Sequence, residues 1–430
     1  MRRRLDEFLA PLLFWLDEAI DARLVRTFRA AVAVVLAFRH TKCGLLLSEL
    51  GGYLLSPDHA PAGTKRLSNL LRSPKWSHTL LERFFWERAD ERLLGLEAEG
   101  EDALVVWDES VLEKSESSRL EGLCAVRSAK AQRLKHIRPG YYNPPGGRPI
   151  FVPGMNWLLL MLMGRSGPPT LAAMRWWTSR GERAEERRGV QAELLDQARA
   201  RWGQRVVHVF DRGFAGTPWL GLLFPRQLRF VLRWPGHYKL LDGQGQSRPA
   251  WQIVRGKRSW ERRQIWDGRG HYRVHGVVAV PVRHPELPQY PLWLVVSRPG
   301  QGRAPWYLLT NEPATTAADA WKVIFAYARR WQIEMAWRFS KSELAMESPR
   351  LWFWESRLKL LLLVSLAYAF LLTLLRDALG PLRRWLLRHY CHRTGKRSRE
   401  ISTPLYRLRA ALSHLWLRYR AESPPPKNSG

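Results

Sequence analysis

Residues 205–214 have the sequence RVVHVFDRGF, in which a run of apolar and β-branched residues ends directly at Asp211. A short apolar run of this kind is typical of a buried β-strand. Residues 103–110, ALVVWDES, repeat the pattern and lead to Asp108. A helical pattern over residues 190–202 precedes the second of these strands. Strands that alternate with a helix predict a mixed α/β core, with an aspartate at the end of each strand, where ligands bind.

The first hundred residues differ from this core because their apolar residues recur at helical spacing. Residues 63–76, GTKRLSNLLRSPKW, predict a short basic helix that Ser73 and Pro74 end. Short helices with basic faces and tight turns are compatible with a helix-turn-helix reader of DNA. They are equally compatible with a plain helical bundle that has a solvated basic surface.

Beyond the core, residues 228–310 contain short β-rich runs punctuated by Gly and Pro, which predict a β-rich insertion. Residues 315–344 predict one long helix with Thr315 or Thr316 as its N-cap. Sixteen uncharged residues, 360–375, follow. A membrane-spanning helix needs about 20 apolar residues, so this run favours a buried core helix.

The charge of the chain indicates a polyanionic partner. It has 69 Lys and Arg against 39 Asp and Glu, a formal net charge of +30, which is too large for an ordinary metabolic enzyme. Nucleic acid or an anionic membrane surface would suit such an excess. Only three cysteines are present, and none lies in a CxxC spacing. A disulfide scaffold is therefore excluded, and a cysteine zinc site is not expected.

A stripe of four side chains lies within residues 327–341, YARRWQIEMAWRFSK. In a continuous helix with about 100° per residue, Tyr327, Arg330, Glu334 and Lys341 share one narrow face. An exposed face with i,i+4 ion pairs would account for Arg330 and Glu334 but not for the other two. A carboxylate between cations would suit a site where a metal and phosphates meet.

This spacing, Y-(2)-R-(3)-E-(6)-K, resembles the signature of cut-and-paste bacterial insertion-sequence transposases. They form part of the DDE superfamily, which has a ribonuclease-H-like catalytic core. Residues 306–313, WYLLTNEP, resemble the segment before the signature helix, and VVWDES and VFDRGF resemble the two aspartate strands. The resemblance covers residues 100–345 well and residues 40–100 loosely.

The resemblance implies an α/β fold, with a ribonuclease-H-like mixed sheet interrupted by a β-rich insertion and helical regions at both ends. The predicted units are a helical N-terminal DNA-binding domain (1–100), the first part of the catalytic core (101–227), the β-rich insertion (228–312), the core helix with the third carboxylate (313–348), a helical, basic C-terminal region (349–420) and a disordered tail (421–430).

The resemblance also implies site residues. Asp108, Asp211 and Glu334 would be catalytic and would bind two Mg²⁺ ions, for which Mn²⁺ can substitute. The side chains expected to contact DNA phosphates are those of Tyr327, Arg330 and Lys341. In hairpin-forming members a tryptophan of the insertion traps a flipped base. Trp306 is at the matching place and Trp293 is a second candidate, although most of the 22 tryptophans must serve packing.

The expected partners are double-stranded DNA, as inverted-repeat ends and as target, and a second copy of the chain in a synaptic homodimer. No membrane partner is expected, and the expected location is the bacterial cytoplasm, at the nucleoid. Three alternatives stay open: another ribonuclease-H-like nuclease such as a resolvase, a decayed or domesticated transposase that only binds DNA, and a peripheral membrane protein.

Several titratable residues are not expected to join the site. Strand alternation turns Glu109 away from Asp108. We also expect His208 to pack within its strand. The remaining acidic residues set aside in this way are Glu113, Glu343 and Glu347.

Overall fold

The structure is a computed structural model that describes residues 1–38, 44–114, 119–128, 150–266, 272–300, 304–391 and 405–418. The predicted tail, residues 421–430, lies outside the described residues.

A mixed β-sheet of twelve strands forms the centre of the described chain. Its strands are β1 (Ala103–Glu113), β2 (Cys124–Arg127), β3 (Phe151–Met163), β4 (Thr170–Trp177), β5 (Val206–Phe210), β6 (Arg229–Arg233), β7 (Lys239–Leu241), β8 (Ser247–Pro249), β9 (Glu261–Trp266), β10 (Tyr272–His284), β11 (Leu287–Pro299) and β12 (Trp306–Thr310). They are ordered β2-β3-β1-β5-β6-β12-β11-β10-β7-β8, while β4 also pairs with β3 and β9 with β10.

The strands that carry the aspartates lie in the middle of this sheet. Strand β1 pairs antiparallel with β3 and parallel with β5, and β5 pairs parallel with β6. The mixed α/β core, the β-rich stretch that follows it and the helical ends of the chain confirm the predicted fold class. The β-rich stretch continues the same sheet, because β12 pairs with both β6 and β11.

Helices cover both faces of the sheet and fill the two ends of the chain. Their bounds are α1 (Arg2–Ala19), α2 (Ala22–Ala37), α3 (Leu47–Leu54), α4 (Ala60–Arg72), α5 (Thr79–Ala98), α6 (Arg187–Trp202), α7 (Thr217–Leu223), α8 (Ala250–Ile253), α9 (Ala317–Ala328), α10 (Trp331–Ser342), α11 (Trp354–Thr373), α12 (Gly380–Tyr390) and α13 (Leu405–Arg418). Side chains of α9, α10 and α11 pack on one face of the sheet, and those of α6 and α7 pack on the other.

The prediction of one helix over residues 315–344 is wrong, because the chain forms α9 and α10 with a joint between them. Thr316 is the N-cap of α9, and it forms a capping box with Asp319, as the sequence predicts. At the joint, Arg330 N donates to Tyr327 O and Ile333 N donates to Arg330 O, both three residues back. These tighter turns rotate α10 relative to α9, so the 100° spacing does not hold across the joint.

Helix α11 is buried in the helical layer, which confirms the prediction of a core helix. It is the one helix of the described residues long and apolar enough to cross a membrane, and 94% of its apolar window is buried inside the protein. Phe8 of α1 contacts Phe370 of α11 with ring centroids 5.7 Å apart. Ser356 Oγ donates to Leu71 O at 3.2 Å. The N-terminal helices thus share a core with the C-terminal helices.

Candidate active site

The pairing of β1 with β5 brings Asp108 and Asp211 to the same edge. The parallel register ends with Trp107 opposite Phe210, so each aspartate is the next residue after the paired stretch. Neighbouring strands lie about 4.8 Å apart, which makes these two positions direct neighbours. Asp108 shares a strand face with Leu104 and Val106, whose side chains pack in the core beneath α9 and α10.

One expectation about Asp108 is wrong in detail. Asp211 directly follows β5, but Asp108 lies within β1, which continues to Glu113 by pairing with β3 as far as Gly154. The longer partner strand β3 provides backbone hydrogen bonds beyond the point where β5 ends. The residues before and after Asp108 are therefore both paired with β3, which restricts the movement of Asp108.

Arg330 joins the two aspartates to Glu334. Its Nη1 lies 3.8 Å from Asp108 Oδ2 and 3.9 Å from Asp211 Oδ2. Its Nη2 forms an ion pair with Glu334 Oε1, four residues later on α10. The three carboxylates, from β1, from the residue after β5 and from α10, thus surround one guanidinium, and the structure brings together all three predicted catalytic residues.

Burial and nearby charges shift the pKa values of several groups at this site. Burial raises the pKa of Asp108 to about 6; nearby Asp211 adds to this, whereas Arg330 and N–H donors from Trp337 and Glu109 oppose it. Neighbouring carboxylates raise one another's pKa values by like-charge repulsion, but at Asp108 burial is the larger cause.

The guanidinium of Arg330 stays charged at this site. Burial alone would lower the pKa of Arg330, but Tyr327 and the three carboxylates raise it above its ordinary value. Burial also raises the pKa of Tyr327 to about 12, so its phenol stays protonated at neutral pH and can donate a hydrogen bond.

The other stripe residues also face the site. Tyr327 Oη donates to Asp211 Oδ1 at 3.4 Å, and Lys341 Nζ donates to Ser110 Oγ at 2.7 Å. Ser110 lies two residues after Asp108, on the same face of β1. Tyr327, Arg330 and Lys341 thus all contact residues at or beside the carboxylates. Their contact with DNA stays a prediction.

Trp306 lies next to this site. Its ring packs edge-on against Tyr327 with centroids 5.3 Å apart, and the guanidinium of Arg233 lies 5.9 Å from its centroid. Trp293, on the neighbouring strand β11, is opposite Thr310 at the other end of β12. The structure therefore favours Trp306 over Trp293 as the tryptophan nearer the carboxylates.

Trp337 is a site residue that the sequence does not single out. Its Nε1 donates to Asp108 Oδ2 at 3.0 Å, and its side chain is buried. It lies three residues after Glu334 and so faces the same side of α10. The only signal in the sequence for a role of Trp337 is this three-residue spacing from Glu334. With 22 tryptophans in the chain, such a spacing is not distinctive.

Two of the residues that are not expected to join the site, Glu109 and His208, have other partners. Glu109 points to the opposite face of β1, where it pairs with Arg187 and accepts from Gln191. The buried His208 accepts at Nδ1 from Trp107 Nε1 at 3.0 Å, which confirms a packing role.

The donor set fits hard divalent cations, which prefer carboxylate oxygens. The described residues nevertheless contain no group of three His, Cys, Asp or Glu side chains drawn together closely enough to hold an ion. The guanidinium of Arg330 lies among the three carboxylates. Asp108, Asp211 and Glu334 are the residues that would hold such ions.

Part of the chain matches a known family of proteins. Residues 171–370 match the family model of the transposase DDE domain, a range that contains Asp211 and Glu334 but not Asp108. No curated protein matches the chain. A cryo-EM structure of a piggyBac transposase synaptic complex with hairpin DNA aligns at 12% identity and a TM-score of 0.42, over 95% of this chain and 74% of that one. The family match confirms, over residues 171–370, the resemblance of this chain to the DDE transposases.

Proposed function

We propose that this protein is a DNA transposase that binds the ends of its element, pairs them in a homodimer, and cleaves and joins DNA by metal-dependent phosphoryl transfer. The observation that supports this most is the contact of one guanidinium with carboxylates from three distant segments. Gathering three acids around one cation, with Asp108 largely withdrawn from solvent, gives little net stability, whereas functional sites are often built from such charge clusters.

In this proposal Asp108, Asp211 and Glu334 hold two Mg²⁺ or Mn²⁺ ions. When bound, such ions lower the pKa of an attacking water and stabilise charge on the phosphoryl group. Cations bound there would repel the guanidinium of Arg330, because like charges repel. Arg330 would then be available to contact a DNA phosphate, for which its planar donor fork is suited.

Two further side chains position the DNA. The protonated phenol of Tyr327 can donate either to Asp211, as it does here, or to a phosphate oxygen. Lys341 Nζ donates to Ser110 Oγ, on the strand that also carries Asp108. Phosphate contacts of this kind fix the register of the duplex and carry no sequence information.

Sequence recognition is proposed for the pair of helices α3 and α4. The two helices cross closely, because a Cβ atom on Gly63 would lie 2.2 Å from Gly51 O. Lys65, Arg66 and Arg72 of α4 are exposed on the outer face of this pair. A second helix that presents basic side chains beyond a short turn suits the major groove of DNA. Such a protein would act in the cytoplasm, at the nucleoid.

The test is a cleavage assay on labelled DNA that carries the inverted repeats flanking the gene. The wild-type protein should nick these ends only with Mg²⁺ or Mn²⁺. Asp211→Asn and Glu334→Gln should bind the ends but cut them at least about 10³-fold more slowly, since metal-held charge stabilisation contributes several kcal/mol. Glu343→Gln, just beyond α10, is the matched control and should cut normally. A wild-type protein that binds the ends and never nicks them would instead support the DNA-binding alternative.

A further inference from the structure

Trp337 links the helix of one predicted catalytic acid to the side chain of another. It lies on α10, three residues after Glu334, and its indole N–H donates to Asp108 Oδ2 at 3.0 Å across to β1. Only 8% of the residue is exposed, so water does not compete freely for this bond. A hydrogen bond from a buried donor to a carboxylate is among the stronger ones in proteins.

The indole is itself held in place by the sheet. Trp157 of β3 packs edge-on against it with ring centroids 4.4 Å apart. Trp176 of β4 stacks on Trp157 with centroids 5.3 Å apart and an interplanar angle of 26°. Trp337 therefore has little freedom to rotate, and the direction of its N–H is set by packing.

Both oxygens of Asp108 then have a fixed donor. Oδ1 accepts from the backbone N–H of Glu109 at 2.9 Å, and Oδ2 accepts from Trp337. These two bonds fix the rotation of the carboxyl group. A metal ligand must be correctly oriented, and the groups bonded to a ligand commonly determine its orientation.

We propose that Trp337 is a positioning residue that orients the carboxylate of Asp108 for metal binding. The inference rests on the proposed function, because it requires that Asp108 hold a divalent cation. Trp337 itself touches neither the metal nor the DNA in this account. Its contribution is the single N–H, and the remainder of the indole serves packing.

The experiment compares Trp337→Phe with Trp176→Phe. Both changes keep a six-membered aromatic ring in the same stack and remove one indole N–H. The Nε1 atom of Trp176 has no hydrogen-bond partner within the described part of the chain, so its loss breaks no bond to the site. Mn²⁺ affinity is measured by calorimetry on the full-length proteins, alongside thermal stability, DNA-end binding and nicking.

We expect Trp337→Phe to bind Mn²⁺ about 10–100-fold more weakly than the wild type, and to need correspondingly more metal for half-maximal nicking. Trp176→Phe should keep the wild-type Mn²⁺ affinity, and both variants should bind DNA ends normally. Equal Mn²⁺ affinity in the two variants would overturn the proposal. If Trp337→Phe does not fold, Trp337→Met, which also lacks a donor, takes its place. Failure of both to fold, while Trp176→Phe folds, would overturn it too, because Trp337 would then serve packing.

These measurements distinguish failure of the proposed function from failure of the role proposed for Trp337. A wild-type protein that binds no Mn²⁺ and nicks no DNA would contradict the proposed function. A wild-type protein that does both, with Trp337→Phe indistinguishable from Trp176→Phe, would contradict only the role of Trp337.

Discussion

Arg330 lies with its Nη1 atom 3.8 Å from Asp108 Oδ2, although the two residues belong to segments far apart in sequence. The same guanidinium contacts Asp211 and Glu334, so one cation partly balances three acids. This arrangement keeps the metal-free site assembled, because without a cation the three carboxylates would repel one another. In the proposed function, Arg330 and divalent ions would be alternative counter-charges for the same three carboxylates.

The first prediction concerns Arg330→Gln. Removing one partner from a fully buried ion pair typically costs about 3–5 kcal/mol, because the remaining charges lose their compensation. Solvent reaches Asp211 and Glu334, whose side chains are 37% and 34% exposed, and reduces this cost. We therefore expect the free energy of unfolding to fall by less than about 3 kcal/mol, measured by urea denaturation in EDTA. Mg²⁺ should recover more stability in this variant than in the wild type, because it no longer has to displace a guanidinium.

Arg329→Gln is the matched control for that measurement. Arg329 is the preceding residue, and its side chain donates to the backbone oxygens of Ser166 and Gly167. Its replacement should also lower stability but should not increase the response to Mg²⁺. An equal response to Mg²⁺ in both variants would contradict the view that Arg330 occupies the place of the ions.

The second prediction concerns pH. Because the pKa of Asp108 is raised to about 6 from its ordinary value of 3.8, the folded protein holds a proton between these values that the unfolded chain has lost. The free energy of unfolding of the metal-free protein should therefore fall as pH rises through this window. Asp108→Asn has no such proton to lose. Its free energy of unfolding should therefore exceed that of the wild type by up to about 3 kcal/mol above pH 6.

The measurement is urea denaturation in EDTA from pH 4 to pH 8. The difference between Asp108→Asn and the wild type should grow between pH 4 and pH 6 and then level off. Glu109→Gln should show no such gain, since its carboxylate is paired with Arg187. A difference that does not vary with pH would show that Asp108 is ionised throughout.

Both aspartates can be located from a local pattern, because each follows a run of buried apolar residues. Their closeness depends on the register of Trp107 opposite Phe210, and strand pairing is not encoded locally. The joint between α9 and α10 is not predicted, because no Pro or Gly marks residues 329–330. The sequence also gives no reason for β1 to continue past Asp108, since this depends on the length of its partner β3.

The third prediction concerns Trp306, which packs against Tyr327 at the edge of the site. If cleavage proceeds through a DNA hairpin, Trp306→Ala should spare the first nick and impair hairpin formation. Stacking of a base on an aromatic ring contributes about 1–3 kcal/mol, which is sufficient to hold the base out of the duplex. Denaturing gels of labelled ends measure both products.

Trp293→Ala is the control for this prediction. Trp293 lies opposite Thr310, at the other end of β12 from Trp306. Its replacement should leave the hairpin yield unchanged. A lower hairpin yield in Trp293→Ala alone would transfer the role to Trp293.

The fourth prediction concerns the exposed basic face of α4. Replacing Lys65, Arg66 and Arg72 with Ala should reduce the preference for inverted-repeat ends over random duplex. It should also reduce the slope of log affinity against log salt by about 0.9 for each lost phosphate contact. Competition binding at several salt concentrations measures both quantities.

Point substitutions suit this question better than deletion of residues 1–95. The N-terminal helices share a core with α11, for example through Phe8 and Phe370, so the deletion would expose that core. Arg3→Ala with Arg4→Ala on α1 is a matched control, because both arginines are exposed and pair with Glu7. An unchanged end preference in the α4 variant would contradict the assignment of α4.

The most direct test of the account is Mn²⁺ binding to four variants, measured by calorimetry on the metal-free protein. Asp108→Asn, Asp211→Asn and Glu334→Gln should each lose at least one of two bound ions or weaken binding sharply, because the three carboxylates are proposed to share those ions. Glu109→Gln, one residue from Asp108 but on the opposite strand face, should bind as the wild type does. Normal Mn²⁺ binding by any one of the first three variants would contradict a single metal site built from Asp108, Asp211 and Glu334.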